Sequence, residues 1–205
     1  DRASAEIQYG HVFRPTHTNT SWDMAKFEVA AQRWVDVSEP TAGLALLNDC
    51  KYGHRLLDNV LDLNLLRAPM HPDPDADLGE HTFTYSLLPH AGDLIASDVP
   101  TEARRLNQPP LALPGRALPG PLPANIAGGG VELTVIKRAE KADGLVIRLV
   151  ETLGRRCTAT VRLATPGRLV PCDLLEWHDG EATATAGEHP LEFTPFQIRT
   201  FKLLV

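Results

Sequence analysis

An all-β chain made of two antiparallel units is what the sequence predicts, and three observations predict it. Short apolar segments rich in β-branched and aromatic residues recur along the chain, separated by turn residues at short intervals. The stretch at 107–130, NQPPLALPGRALPGPLPANIAGGG, is crowded with proline and glycine, and proline lacks the N–H that a central strand must give to its ladder. After it, the strand-like segments and turns have the spacing of a small antiparallel sandwich. The chain therefore divides into a larger, longer-looped β unit over 1–120, ending in the Pro-rich connection, and a compact one over 121–205.

Taken in order, IQYGHVF at 7–13 reads as the first strand. The segment RPTHTNTSWD at 14–23 is rich in side chains that bond nearby backbone, and reads as a locked loop with Trp22 as its packing anchor. In MAKFEVAAQRWV, Met24, Phe27, Ala31, Trp34 and Val35 fit a helical face, while Phe27, Val29, Ala31 and Val37 fit alternation; strands are the preferred reading over FEVAAQRWVDVS. GLALLN, NVLDLNLL and HTFTYSLL complete the first unit. The second unit holds VELTVIKRAE, GLVIRLVETLG, CTATVRLA and FQIRTFKLLV, with turns at 141–144, 154–156, 166–167 and 179–180.

Composition narrows the function classes. A hydrophobic content of 43% over 205 residues is enough for packed cores. The formal net charge is -6 with the two signs interspersed, so no basic stripe is present for nucleic acid or an anionic membrane. No run approaches the ~20 apolar residues that span a bilayer, and DRASAEIQYG lacks the charged and apolar regions of a signal peptide. Three cysteines, Cys50, Cys157 and Cys172, are odd in number and lack CxxC spacing, as expected in a reducing, cytoplasmic compartment. Strand-like sequence so close to Asp1 leads to the expectation of a piece of a longer polypeptide.

Among the polar motifs, Asp73, Asp75 and Asp77 in HPDPDADLGEH have the opening spacing of a calcium loop. The glycine that such a loop needs at its sixth position is Leu78, the carboxylate at its twelfth is Thr84, and Pro72 and Pro74 stiffen the backbone, so a solvated turn is expected. The NTS triplet at 19–21 receives no role. No HExxH, Cys/His cluster, GxSxG elbow or phosphate-binding glycine loop occurs. The densest set of functional groups is the insert Asn48-Asp49-Cys50-Lys51-Tyr52-Gly53-His54, between two apolar segments. Two readings fit it: an ordinary turn, in which Asn48 and Asp49 bond local amides and Gly53 supplies freedom, or a binding loop held by two rigid elements.

The segments RPTHTNTSWD, FEVAAQRWVDVSE, ALLNDCKYG, LLRAP, PDPDADLGEHTFTYSLLPH, CDLLEW and FTPFQIRTFKLLV follow one another along nearly the whole chain. In that order they closely resemble the C-terminal β region of family 38 glycoside hydrolases, the class II α-mannosidases, and most of all their cytosolic and bacterial branch. The resemblance implies a portion of a galactose-mutarotase-like β supersandwich followed by a small β-sandwich. It also implies a full-length enzyme that removes terminal non-reducing α-D-mannose with retention of configuration. The zinc ion and nucleophilic aspartate of such enzymes belong to an N-terminal α/β domain, so no residue here is assigned a catalytic or metal-binding role. The isolated chain is expected to be inactive.

What the resemblance carries over is one loop that reaches back to the catalytic domain and helps to shape the sugar pocket. It maps onto NDCKYG, which makes Asp49 and Lys51 the expected substrate-binding groups and Asn48 and Tyr52 secondary ones, with Cys50 packed inward. Other branches carry arginine-rich sequence here, and Lys51 lacks the bidentate geometry of a guanidinium. The expected partners are a mannose-containing oligosaccharide and the enzyme's own N-terminal domain, with a homo-oligomer open where β surfaces pair. A competing reading is a non-catalytic carbohydrate-binding or scaffolding β module, whose exposed aromatics would stack on sugar rings.

Overall fold

The structure is a computed structural model that describes residues 1–112, 114–115, 122–141, 143–182 and 187–204. It falls into two units, Asp1–Leu113 and Pro114–Val205. The boundary expected at residues 120 and 121 lies outside the described residues.

In the first unit, β1 (Arg2–Ile7) and β2 (Gly10–Pro15) form a hairpin where one strand was expected over 7–13. Ile7 pairs with Gly10, and so short a reversal needs a left-handed residue, which Tyr9 supplies at φ 61°. The next segment makes a single helical turn, α1 (Ser21–Met24). Thr20 Oγ1 accepts the Asp23 N–H at 3.1 Å, and the Asp23 carboxylate accepts the Thr20 N–H at 3.2 Å. Polar side chains thus lock this segment, as expected. Trp22 does not anchor it, because its side chain faces solvent at 79% exposure.

The strand reading of 27–38 is met by β3 (Val29–Ala30) and β4 (Trp34–Ser38). There follow β5 (Ala42–Asn48), β6 (Gly53–Leu57), β7 (Val60–Leu63) and β8 (Tyr85–Ala91), the last beginning only halfway through HTFTYSLL. Five strands form one antiparallel sheet in the order β2-β1-β4-β5-β8, and three form another, β3-β6-β7. Between the sheets, Ala3, Ala5, Val35 and Leu46 meet Ala31 and Leu56, with Val29, Leu61 and Leu63 beside them. This is the layered arrangement that period-2 alternation dictates, since one face of each sheet must be covered.

On the other face of the large sheet lies a helix that the strand-only reading missed. A 3-10 turn over Leu94–Ala96 leads into α2 (Val99–Asn107), and Leu94, Val99 and Ala103 pack on Trp34, Ala45 and Leu47. Its signals are in the sequence: Pro100 and Glu102 in the first turn, Arg104 and Arg105 in the last, and Val99 and Ala103 one turn apart. At its C-terminus, Asn107 Nδ2 donates to the carbonyl of Asn48 at 3.0 Å, so the helix holds the end of β5.

The second unit contains β9 (Ala124–Ala127), β10 (Val131–Arg138), β11 (Leu145–Glu151), β12 (Cys157–Leu163), β13 (Arg168–Cys172), β14 (Glu188–Phe193) and β15 (Ile198–Leu204). Two antiparallel sheets, β10-β11-β15-β13 and β14-β12-β9, form the expected sandwich. Ile147, Leu149, Leu169, Phe201 and Leu203 of one sheet interlock with Ala159, Val161, Leu191 and Phe193 of the other. Four residues of the Pro-rich stretch do form a strand, β9, but at a sheet edge where the ladder tolerates irregular flanks. The strand prolines Pro15, Pro89, Pro171 and Pro190 likewise sit in the edge strands β2, β8, β13 and β14.

At the end of β11, Glu151 is 0% exposed, and its carboxylate gathers backbone donors. It accepts the N–H of Leu153 and Gly154 at 2.9 Å, of Phe196 at 2.8 Å and of Arg155 at 3.3 Å. One side chain thereby fastens the 152–155 turn to the entry of β15. Among the described residues, no helix is long and apolar enough to cross a membrane.

Candidate functional site

The insert after Asn48 is not a hairpin turn. β5 belongs to the five-stranded sheet and β6 to the three-stranded one, so residues 49–52 step from one layer of the first unit to the other. Such a crossing cannot be held by a ladder between its own ends. Asn48 supplies the hold: at 1% exposure, its Nδ2 donates to the Gln32 carbonyl at 3.0 Å. Its Oδ1 accepts the amides of Cys50 at 3.1 Å and Lys51 at 2.6 Å. With its amide committed in this way and its side chain buried, Asn48 shapes the loop from beneath.

Asp49 is exposed, and its carboxylate is tied to its neighbours. Its Oδ1 accepts the Thr84 N–H at 3.0 Å while its own N–H donates to the Thr84 carbonyl at 3.1 Å, extending the β5–β8 pairing by one residue. The Thr84 amide first, and the Cys50 thiol second, hold the Asp49 carboxyl below its usual range. Cys50, expected to pack inward, is exposed instead. The adjacent Asp49 carboxylate, followed by burial, pushes its thiol up, which disfavours the reactive thiolate. Lys51 is half-buried, with Nζ 5.1 Å from the centre of the Phe83 ring. Tyr52 is 62% exposed, and its carbonyl accepts the Ala31 N–H at 3.0 Å.

His54 closes the segment at 0% exposure, its Nδ1 lying 3.2 Å from the Tyr52 carbonyl, which assigns the proton to Nδ1. Burial lowers its pKa from the ordinary 6.5. The unfolded chain therefore binds a proton that the folded chain resists. This contribution to stability is complete above the unfolded value and is lost as pH falls below it. Thermal melts at about pH 7.5 and about pH 5.5 should show a lower Tm at the acidic value, and His54→Gln should narrow the gap.

Sequence reasoning missed what stands beside Lys51. A cleft of about 260 Å3 is lined by Lys51, Gly53, Asn64, Arg67, Asp77 and His81, with Leu65 and Leu66 completing it. Arg67 comes from LLRAP, and Asp77 and His81 from the turn-rich DADLGEH. Asp73 and Asp75 behave as a solvated turn should, Asp73 Oδ1 accepting the Asp75 N–H at 3.0 Å. Asp77 leaves that turn, and its Oδ2 accepts the Ala68 N–H at 2.8 Å. Among the described residues, no group of three or more His, Cys, Asp or Glu side chains is placed to hold a metal ion.

By fold, the chain is a pair of β domains presenting a polar loop from a fixed frame. Residues 1–75 match the family model for the glycosyl hydrolases family 38 C-terminal domain, and residues 130–201 that for the family 38 C-terminal beta sandwich domain. The chain belongs to glycosyl hydrolase family 38, as part of its C-terminal β region. It is 44% identical to alpha-mannosidase 2C1 of Mus musculus over 216 residues, covering 100% of this chain and 20% of that protein. The Homo sapiens protein of that name gives the same figures, and an alpha-mannosidase of Saccharomyces cerevisiae is 35% identical over 233 residues, covering 99% and 21%. The chain thus spans about a fifth of the length of these curated relatives. A family 38 protein from Enterococcus faecalis shares the fold with a TM-score of 0.74 at 22% identity, over 98% of this chain and 24% of that one.

Proposed function

We propose that this chain serves a retaining α-mannosidase that hydrolyses terminal non-reducing α-D-mannose, supporting the catalytic domain and lending residues 49–52 to the rim of the sugar pocket. The observation that carries this reading is a 44% identical alignment to alpha-mannosidase 2C1 across 100% of the chain. Rigid presentation of Asp49 and Lys51 by Asn48, Thr84 and Asn107 supports it further, because binding groups on a pre-set loop lose little entropy when they engage a ligand. On this reading the zinc ion is held outside this chain, and no step of the chemistry is assigned to a metal here. Three free cysteines suit a reducing cytoplasm.

The test is kinetic. In a full-length mannosidase containing this region, Lys51→Ala and Asp49→Ala should each lower kcat/KM on the order of tenfold, with Tm nearly unchanged. A fall in Tm at normal specific activity would return the loop to a purely structural role. The chain alone, assayed on an aryl α-mannoside with added zinc, should give no turnover; measurable hydrolysis would overturn the division of labour proposed here.

A further inference from the structure

We propose that the loop at 173–179, which follows β13, is a docking surface for the part of the mannosidase polypeptide that lies outside these 205 residues, and that it receives an apolar surface carrying carboxylates. The assignment rests on the reading of the chain as part of an α-mannosidase, and adds where the second unit meets the remainder of the enzyme.

Hydrogen bonds fix this loop. Asp173 Oδ1 accepts the N–H of Leu175 at 3.1 Å and of Trp177 at 2.9 Å, and its Oδ2 lies 2.6 Å from His178 Nδ1. Glu176, a non-glycine residue at φ 61° and only 3% exposed, holds Lys137 Nζ at 2.6 Å and accepts the Glu140 N–H at 2.8 Å. Lys202 Nζ donates to the Glu176 carbonyl at 3.3 Å and to Asp179 Oδ1 at 2.6 Å, while the Arg148 guanidinium donates to the Leu174 carbonyl at 3.2 Å. Arg148 and Lys202 alternate along their strands with the core residues Leu149 and Leu203. The loop therefore lies on the face of β10-β11-β15-β13 that points away from the sandwich core.

What this frame leaves in water is apolar. Leu174, Leu175 and Trp177 are 54%, 61% and 62% exposed, and an open cleft of about 610 Å3 runs beside the two leucines, lined also by Pro171, Ile198 and Arg199. Strain such as that at Glu176 persists only where the surroundings over-determine it, and apolar patches held in solvent mark interaction sites. Charge gives the chemistry of the occupant. The carboxylates at the loop are already engaged: Asp173 with His178, Glu140 and Glu176 with Lys137, and Asp179 with Lys202. Among the described residues, Lys141, Arg148 and Arg199 have no carboxylate partner. Lys141 Nζ stands 5.2 Å from the centre of the Trp177 ring, Arg148 bonds the loop, and Arg199 lines the cleft. A second copy meeting its like across a two-fold axis would set these cations against themselves. The formal net charge of -6 likewise opposes adsorption to an anionic membrane. The relatives point to the occupant instead: alpha-mannosidase 2C1 of Mus musculus is matched over 20% of its length, leaving most of such a polypeptide outside the match, while the loop lies within the family-matched residues 130–201.

The test is hydroxyl-radical footprinting of this 205-residue chain and of a full-length mannosidase that contains it. Leu174, Leu175 and Trp177 should be modified readily in the first and on the order of tenfold more slowly in the second, because the centre of an interface packs like an interior. Leu175→Asp and Lys141→Glu should leave the Tm of the 205-residue chain unchanged, since both side chains are exposed there. In the full-length enzyme each should raise the modification rate of Trp177 toward that of the chain alone and lower the Tm. Equal modification of Trp177 in the two proteins, or protection that neither variant relieves, would overturn the proposal. So would protection of the 205-residue chain that grows with its own concentration, or on vesicles of anionic phospholipid, which would make a second copy or a membrane the occupant. Failure here is separable from failure of the functional reading. A fully modified Trp177 in an enzyme whose kcat/KM falls with Lys51→Ala removes only the docking surface; a protected Trp177 with Lys51→Ala kinetics unchanged removes only the role in the sugar pocket.

Discussion

Glu151→Ala is expected to unfold the second unit more readily than any surface change, by about 3–5 kcal/mol. The substitution strips one acceptor from backbone N–H groups of Leu153, Gly154, Arg155 and Phe196, at a site with 0% exposure. Water cannot enter freely to replace the carboxylate, so donors that were satisfied become orphans, and the 152–155 turn parts from the entry to β15. Glu151→Gln keeps the shape and one oxygen but turns an NH2 group toward N–H donors, and should fall between the two. Chemical denaturation of wild type, Gln and Ala variants checks the order; equal midpoints would mean that the carboxylate holds nothing together.

Asn48→Ala should cost about 3 kcal/mol, on the order of 10 °C in the Tm of the first unit. It removes the donor to Gln32 and the shared acceptor for Cys50 and Lys51 from a position that is 1% exposed. Asn48→Asp is the more informative partner. It preserves the acceptor for the two loop amides but sets a carboxylate oxygen against the Gln32 carbonyl, so it should be destabilising as well. In the full-length enzyme, Asn48→Ala should also lower kcat/KM, because Lys51 loses its brace. Unchanged stability for both variants would show that the buried amide is dispensable.

Much of the fold was legible because period-2 alternation and proline placement are local signals. β5, β10, β11, β12 and β15 lie where GLALLN, VELTVIKRAE, GLVIRLVETLG, CTATVRLA and FQIRTFKLLV put them. The missed helix α2 is short, and its apolar face is little more than Val99 and Ala103, so its existence depends on the sheet it covers. The 7–13 segment was misjudged because Tyr9 does what glycine or asparagine usually does, at φ 61°. As for the candidate site, the residue types in NDCKYG stood out, but their division into a buried brace, Asn48, and exposed or half-buried neighbours did not. That Asn48 turns inward and Asp49 is tied to the start of β8 depends on Gln32 and Thr84, which are distant in sequence. Arg67 and His81 were invisible for the same reason, since only the fold brings LLRAP and DADLGEH to one cleft.

The step of residues 49–52 between two sheets has a mechanical consequence. A hairpin tip moves with the one sheet that carries it, whereas this strap is clamped at one end in each layer. Any sliding of the layers past each other must stretch or slacken it. Repacking deep between the sheets, at Leu46 or Leu56 for example, would thus be transmitted to the position of Lys51 without touching it. If residues 49–52 border a sugar site as proposed, interior substitutions of this kind would retune that site from a distance while the sequence of the strap stays constant.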